Sequence, residues 1–281
     1  MKCFYHGVDF DGICSSEIVK YRYPDCELFP WNYGDSFDRN TVTPNETFVL
    51  VDLSFPEEDM FWLRENTNFI WIDHHSSAIE KYKNCPFFGL RMNGKAACEL
   101  AWEYFFPGEE TPYGVSLLGR YDVFDLSWHE DVELFQYFIK ADKYERKDWH
   151  ALFTYRASKD NQYFREAHKT GKLIQTYKDL ERLDMIKQYA FATTLNNLRL
   201  VACNRRDTSQ LFDSVWDEEK FDAMCNFVYT ADNKWYVSLY TPKKDVDVSK
   251  VASFYGGGGH KGAAGFKCDS LPFVAEERIK E

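Results

Sequence analysis

Three apolar runs within the first 75 residues each stop on an acid or a histidine: KCFYHGVDFDG, TFVLVDL and NFIWIDHH. Within each run the apolar residues follow one another with few polar interruptions, as in strands covered on both faces. Helix-like stretches, GICSSEIVKYRY and PEEDMFWLREN, alternate with them, and CELFPWNY reads as a further strand. Alternation of this kind predicts an α/β fold with a mainly parallel N-terminal sheet flanked by helices. Ser54 followed by Glu57 has the capping-box spacing, which marks a start for the second helix.

From about residue 94 to 190 the pattern turns mainly helical. Thr111-Pro112 opens the helix YGVSLLGRYD. The segment GKLIQTYKDLERLDMIKQYAFATTL repeats apolar residues at helical spacing through Leu173, Ile174, Tyr177, Leu180, Leu183 and Ile186. It is read as a linker helix closing at Asn196-Asn197. Strands then resume with LRLVACN and with MCNFVYT and WYVSLYT around the turn ADNK, a hairpin pattern. A short helix, VSKVASF, runs into the glycine loop of GGGGHKGAAGF. The expected organisation is a first domain over 1–170, a linker helix over 171–196 and a smaller α/β domain over 197–281.

In an open parallel sheet, functional groups gather beyond the carboxyl ends of the strands. Three such ends would bring His6, Asp9 and Asp11 together with Asp52 and with Asp73, His74 and His75. Each residue alone has an ordinary structural explanation. Asp11 before Gly12 is a common turn or cap, Asp52 could cap the following helix, and a lone His6 is usually a satisfied core histidine. Three strands of one polarity all ending in Asp or His are poorly explained that way. Clustered carboxylates repel and tend to protonate when buried, and a divalent cation removes that penalty. Mixed oxygen and imidazole donors suit Mn²⁺, with Mg²⁺ or Co²⁺ as alternatives, and more than four donors suggest two ions. Asp122, at the end of LLGRYDVFD, is a further candidate ligand. The remaining histidines, His129, His150 and His168, lie in helical or polar surroundings and read as surface or structural.

Four consecutive glycines make poor helix or strand. They suit a loop whose backbone N–H groups approach phosphate or carboxylate oxygens, with His260 as an added donor. Arg205, Arg206, Lys243, Lys244, Lys261 and Lys267 make this part locally basic, which a solvated face would also explain.

Taken together, HGVDFDG, VLVDLS, WIDHH, GRYDVFD and GGGGHKGAAGF occur in the order found in DHH phosphoesterases that carry a C-terminal DHHA1 domain. The resemblance covers almost the whole chain. That family includes oligoribonucleases that also act on 3′-phosphoadenosine 5′-phosphate, RecJ-type exonucleases and dinucleotide phosphodiesterases. The resemblance implies a two-metal phosphodiesterase that hydrolyses short oligonucleotides or dinucleotides to nucleoside monophosphates. His6, Asp9 and Asp52 would hold one Mn²⁺. Asp11, Asp52, His74 and Asp122 would hold the other, with Asp52 shared. His75 would face the substrate phosphate, Asp73 would orient the imidazoles, and Gly257, Gly258, Gly259 and His260 would hold a terminal phosphate. Tyr240 stands where relatives often carry Arg, which makes Arg205 and Arg206 the candidates to replace that cation, while a tyrosine can stack on a base.

The competing readings are a small-molecule phosphatase of the phosphoadenosine-phosphate kind, a single-strand exonuclease, and a non-catalytic nucleotide sensor. The formal net charge of -11 argues against a binder of long duplex nucleic acid. No apolar run reaches membrane-spanning length. Eight scattered cysteines with no C-x-x-C pair are read as reduced thiols, and the expected setting is cytoplasmic, with no membrane partner. A homodimer is compatible with the composition.

Overall fold

A computed structural model of the chain describes residues 1–125, 129–142, 149–154 and 161–279. It forms two compact units, Met1–Ile174 and Gln175–Glu281.

The first unit is built on four strands, β1 (Lys2–His6), β2 (Glu27–Trp31), β3 (Thr47–Val51) and β4 (Asn68–Ile72), in the order β2-β1-β3-β4. Every pairing is parallel. Successive side chains alternate between two cores. Cys3, Val49, Val51 and Ile72 point to one side, where they meet helices α1 (Phe10–Arg22), α4 (Ala97–Phe105) and α5 (Tyr113–Asp122). Phe4, Phe48, Leu50, Phe69 and Trp71 point to the other, against α2 (Glu57–Asn66) and α3 (Ser76–Tyr82). Burial on both faces is why these strands carry almost no polar positions. Helices α6 (His129–Asp142), α7 (Trp149–Thr154) and the start of α8 (Gln162–Tyr189) extend the first core. Because β2 and β3 lie on opposite sides of β1, the strand order reverses at β1 and β3, and a crevice opens there beyond their carboxyl ends.

The second unit is a seven-stranded mixed sheet of order β11-β5-β6-β7-β8-β10-β9. Its strands are β5 (Phe191–Leu195), β6 (Leu198–Cys203), β7 (Ala223–Tyr229), β8 (Trp235–Tyr240), β9 (Gly258–His260), β10 (Ala263–Cys268) and β11 (Glu277–Arg278). Helix α9 (Val248–Phe254) packs on one face through Val248, Val251 and Ala252. On the other face, Ile186 from the end of α8 packs with Ala192, Val201, Cys203 and Met224.

Three local expectations are corrected. Helix α8 stops at Tyr189, and residues 191–195 are strand β5. The helical repeat of apolar residues ends with Ile186, after which Ala192 and Leu195 turn inward in a stretch carrying the β-branched pair Thr193-Thr194. Asn196 and Asn197 close no helix. Both have positive φ, 48° and 66°, and they form the two-residue turn between antiparallel β5 and β6. Nor does Ser54 cap α2: that helix begins at Glu57 after Pro56 with no side-chain cap, because buried Phe55 holds the preceding chain extended in the core.

No helix among the described residues is long and apolar enough to cross a membrane. The eight cysteines are free, and six of them are buried. The side chains of His129 and His150 lie outside those described, whereas His168 is exposed, 4.0 Å from Asp131.

Candidate metal centre

All three predicted strand ends meet in the crevice beyond β1 and β3. His6 is the last residue of β1, and Asp9 begins α1 as its N-cap, accepting from Gly12 N at 3.1 Å. Gly12 is required by the close approach of α1 to β1, since a Cβ there would lie 2.1 Å from the His6 carbonyl oxygen. The next carboxylate, Asp11, caps neither a turn nor its own helix. Its two oxygens accept from Ala97 N (2.9 Å) and Cys98 N (2.7 Å), the first amides of α4, which holds it fully buried at the crevice floor.

Asp52 follows β3 with φ of 60°, a left-handed conformation uncommon outside glycine and asparagine. Its N–H donates to Ile72 O at 2.9 Å, and the neighbouring Leu53 carbonyl accepts from the Trp71 indole at 2.9 Å, so the bend is braced by β4. The bend turns a carboxylate that is 2% exposed back over the strand ends. Its Oδ2 lies 3.6 Å from His6 Nδ1 and its Oδ1 lies 3.2 Å from His74 Nε2. His74 Nε2 also lies 3.3 Å from Asp122 Oδ2 and 3.6 Å from Asp11 Oδ2. Asp73 is turned away from this cluster. Its Oδ1 accepts from the backbone N–H groups of His74 (2.7 Å) and His75 (3.1 Å) and sits 2.7 Å from His75 Nδ1. The imidazole it orients is therefore that of His75.

Donor atoms converge in three groups, each with its atoms within 4.8 Å of one another: His6, Asp9 and Asp52; Asp11, His74 and Asp122; and Asp52, His74 and His75. In the last of these, His75 already has Nδ1 engaged by Asp73. Two buried donor atoms in the crevice, His6 Nδ1 and Asp52 Oδ1, make no well-aligned hydrogen bond, although Asp9 Oδ2 lies 2.9 Å from the first and His74 Nε2 lies 3.2 Å from the second. A buried polar atom without a partner is costly unless something else satisfies it.

The electrostatics express the same conflict. Burial, then the charges of Asp52 and Asp122, push Asp11 well above the ordinary carboxylate range. Burial likewise raises Asp122 to about 6. The carboxylates of Asp52 and Asp9 raise His6 to about 10, while Asp52, Asp11 and Asp122 raise His74 to about 9 against the opposing effect of burial. Asp73 raises His75. Against its own burial, Asp52 is held below the usual range by His6 and His74. His6 and His74 thus hold protons only because nothing more positive stands among the acids. Oxygen and imidazole donors, orphaned buried atoms and crowded carboxylates fit one or more divalent cations.

Tyr33 and Ser54 also border the crevice. Tyr33 lies two residues beyond Trp31, which is in register with His6, and its ring centroid is 6.1 Å from that of His6. Its hydroxyl is raised by burial and by the charge of Asp73. The sequence reading used three strand ends and passed over this fourth one, where the turn signal Asn32-Tyr33-Gly34-Asp35 was available.

In the second unit, the expected glycine loop is partly strand. Gly258–His260 form the edge strand β9, antiparallel to β10. At Gly257 and Gly259 an added Cβ would lie 2.1 Å from Gly265 O and 2.6 Å from Ala263 O. Those two glycines are therefore demanded by β10 packing against them, whereas Gly256 and Gly258 have open space at their Cβ positions. His260, Ala263, Tyr240 and Met224 lie in one cross-strand row, so His260 and Tyr240 share a face of the sheet. Tyr240 is half-buried against the core that contains Ile186. Arg205 is 2.9 Å from Glu181 and 3.5 Å from Asp207, while Arg206 is exposed.

No family model matches the chain. An uncharacterized protein, R106, of Acanthamoeba polyphaga mimivirus is 25% identical over 292 aligned residues, covering 93% of this chain and 66% of that protein. An A-adding tRNA nucleotidyltransferase of Aquifex aeolicus is 31% identical over 112 residues, which are 40% of this chain. The chain thus spans 66% of the length of the first relative and 12% of the second. Among solved structures, a pGpG-specific phosphodiesterase, PggH, from Vibrio cholerae has a TM-score of 0.56 at 14% identity, covering 95% of this chain and 92% of that one. The DHH domain of a protein assigned to a family of ribosomal proteins also has a TM-score of 0.56, at 13% identity, covering 94% and 81%. The chain has the fold of these DHH-domain proteins.

Proposed function

We propose that this chain, with its DHH-domain fold, is a metal-dependent phosphodiesterase that hydrolyses short oligonucleotides or dinucleotides to nucleoside monophosphates. The observation that carries this reading is the convergence of donor atoms from His6, Asp9, Asp11, Asp52, His74 and Asp122 in one crevice, within 4.8 Å of one another in each group. The likeness in fold to a pGpG-specific phosphodiesterase supports it. His6, Asp9 and Asp52 would hold one divalent cation and Asp11, Asp52, His74 and Asp122 a second, with Mn²⁺ favoured by the donor set. Cations bound there supply a lowered pKa for water and positive charge against the phosphate oxygens.

The chain's own residues complete the chemistry. Asp73 fixes the His75 ring through Nδ1, leaving Nε2 as the nitrogen that can donate to a phosphate oxygen. Burial of Asp11 and Asp52 keeps water from competing for the ligand oxygens. In the second unit, the open backbone at Gly258 with His260 and Tyr240 is the proposed holder of the nucleotide end, and exposed Arg206 is a candidate cation for its phosphate. The product would be a nucleoside monophosphate.

The reading is tested by a substrate panel in Mn²⁺: a 5′-phosphorylated dinucleotide, a pentanucleotide, a cyclic dinucleotide and phosphoadenosine phosphate, with products identified by mass. Mononucleotides released from the linear dinucleotide are expected. No turnover of any diester by protein with manganese bound would overturn the reading.

Cation uptake should also depend steeply on pH. Without a cation, His6 and His74 titrate at about 10 and about 9, so both are protonated at neutral pH and a cation must displace those protons. Affinity should therefore fall as pH falls, by about tenfold per unit for each proton displaced. Calorimetry in buffers of different ionisation enthalpy should detect one or two protons released per chain. Binding that is flat between pH 6 and 8 would contradict the ligand assignment.

A further inference from the structure

We propose that Tyr33 and Phe124 are specificity-determining residues, open aromatic surfaces beside the two ligand groups on which the bases flanking the scissile phosphate stack. The inference rests on the phosphodiesterase reading above and extends it to how the substrate is chosen.

Tyr33 sits in the turn Asn32–Asp35, closed by the Asp35 N–H donating to Asn32 O at 2.9 Å, with Gly34 at φ 106°. Its ring is tilted by 60° over His6 at 6.1 Å and stands edge-on to Trp31 at 5.9 Å. Those two ring contacts hold the ring in place, yet the residue stays 57% exposed. An aromatic side chain so held, at the mouth of a crevice, is a surface prepared in advance for another ring.

Phe124 follows two residues after Asp122, which belongs to the other ligand group. Helix α5 ends there with the Asp125 N–H donating to Arg120 O at 2.8 Å and the Phe124 N–H donating to Tyr121 O at 3.3 Å. This termination places its residue in the left-handed region, where glycine is normal. Phe124 occupies it with φ of 56° and is 81% exposed. A phenylalanine there raises the backbone energy and buries almost nothing in return. Single exposed apolar residues are ordinary. What sets these two apart is that one touches His6 of the first ligand group and the other follows Asp122 of the second. A dinucleotide has a base on each side of its diester, whereas inorganic polyphosphate has no ring to stack.

The test compares a 5′-phosphorylated dinucleotide with diesters carrying an abasic ribose on one side or the other. Both kcat/KM in Mn²⁺ and calorimetric affinity for non-hydrolysable forms are read. The native protein should prefer each base by roughly five- to a hundredfold, mostly through KM. Phe124→Gly and Tyr33→Leu should each lose that preference on one side, and Tyr33→Phe should keep it. Glycine suits the left-handed position, so Phe124→Gly should hold or raise Tm, which separates a lost surface from a lost fold. If both variants retain the native preference, the stacking role is overturned and the phosphodiesterase reading stands. Should the loaded protein hydrolyse no diester, the phosphodiesterase reading fails. The affinities then decide the aromatic surfaces by themselves, equal binding of base-bearing and abasic forms overturning their role.

Discussion

Asp52→Asn should lower kcat/KM on a dinucleotide by at least ~10³-fold, about 4 kcal/mol of transition-state stabilisation, and should strip the protein of bound metal. Asp52 is the one carboxylate that faces both His6 and His74, and no other acid among the described residues lies within reach of both proposed ligand groups. Asparagine has nearly the same shape and tolerates the left-handed backbone at φ 60°, so the strand end and its bond to Ile72 should persist. The variant should therefore remain folded by circular dichroism while metal content, measured by plasma mass spectrometry, drops to less than half of native. Activity within tenfold of native, with full metal content, would refute the idea that one carboxylate serves both groups.

Asp11→Ala should cost both activity and stability. Asp11 combines a proposed ligand with a cap that joins segments 86 residues apart in sequence. Removing both acceptors leaves the buried amides of Ala97 and Cys98 unpaired, a loss of about 2–4 kcal/mol. For a protein of this size that lowers Tm by about 3–7 °C. The effect is best read in the metal-loaded protein. Without metal, relief of the repulsion among Asp11, Asp52 and Asp122 offsets part of the lost capping. Asp11→Asn retains one acceptor oxygen and should fall between native and alanine in Tm while remaining inactive. If Asp11→Ala melts with the native protein, the carboxylate is not what secures α4. If Asp11→Asn keeps native turnover, Asp11 is not a ligand.

Much of the architecture was legible along the chain because the signals for it are local. Unbroken apolar runs marked strands covered on both faces, and Asp or His at their ends marked a crevice. The α/β alternation, the β7–β8 hairpin and the short helix before the glycines followed from the same periodicities. Misreadings arose where two local signals competed. Apolar spacing carried the helical reading on through Phe191–Leu195, although Thr193-Thr194 and Asn196-Asn197 pointed to a strand and a hairpin turn. Four glycines suggested an open cradle, but at Gly257 and Gly259 the space of the missing side chain is filled by β10.

Periodicity and residue type along the chain were enough to place the ligand candidates at strand ends, since the direction of a parallel strand and the facing of its side chains are properties of a few neighbouring residues. They could not tell that Asp11 would close the start of α4, that Asp73 would hold His75 in preference to His74, or that Tyr33 would rest over His6. Those relations join segments through packing. A carboxylate's partners are set by which helix end or ring is pressed against it, and that is decided when the layers close.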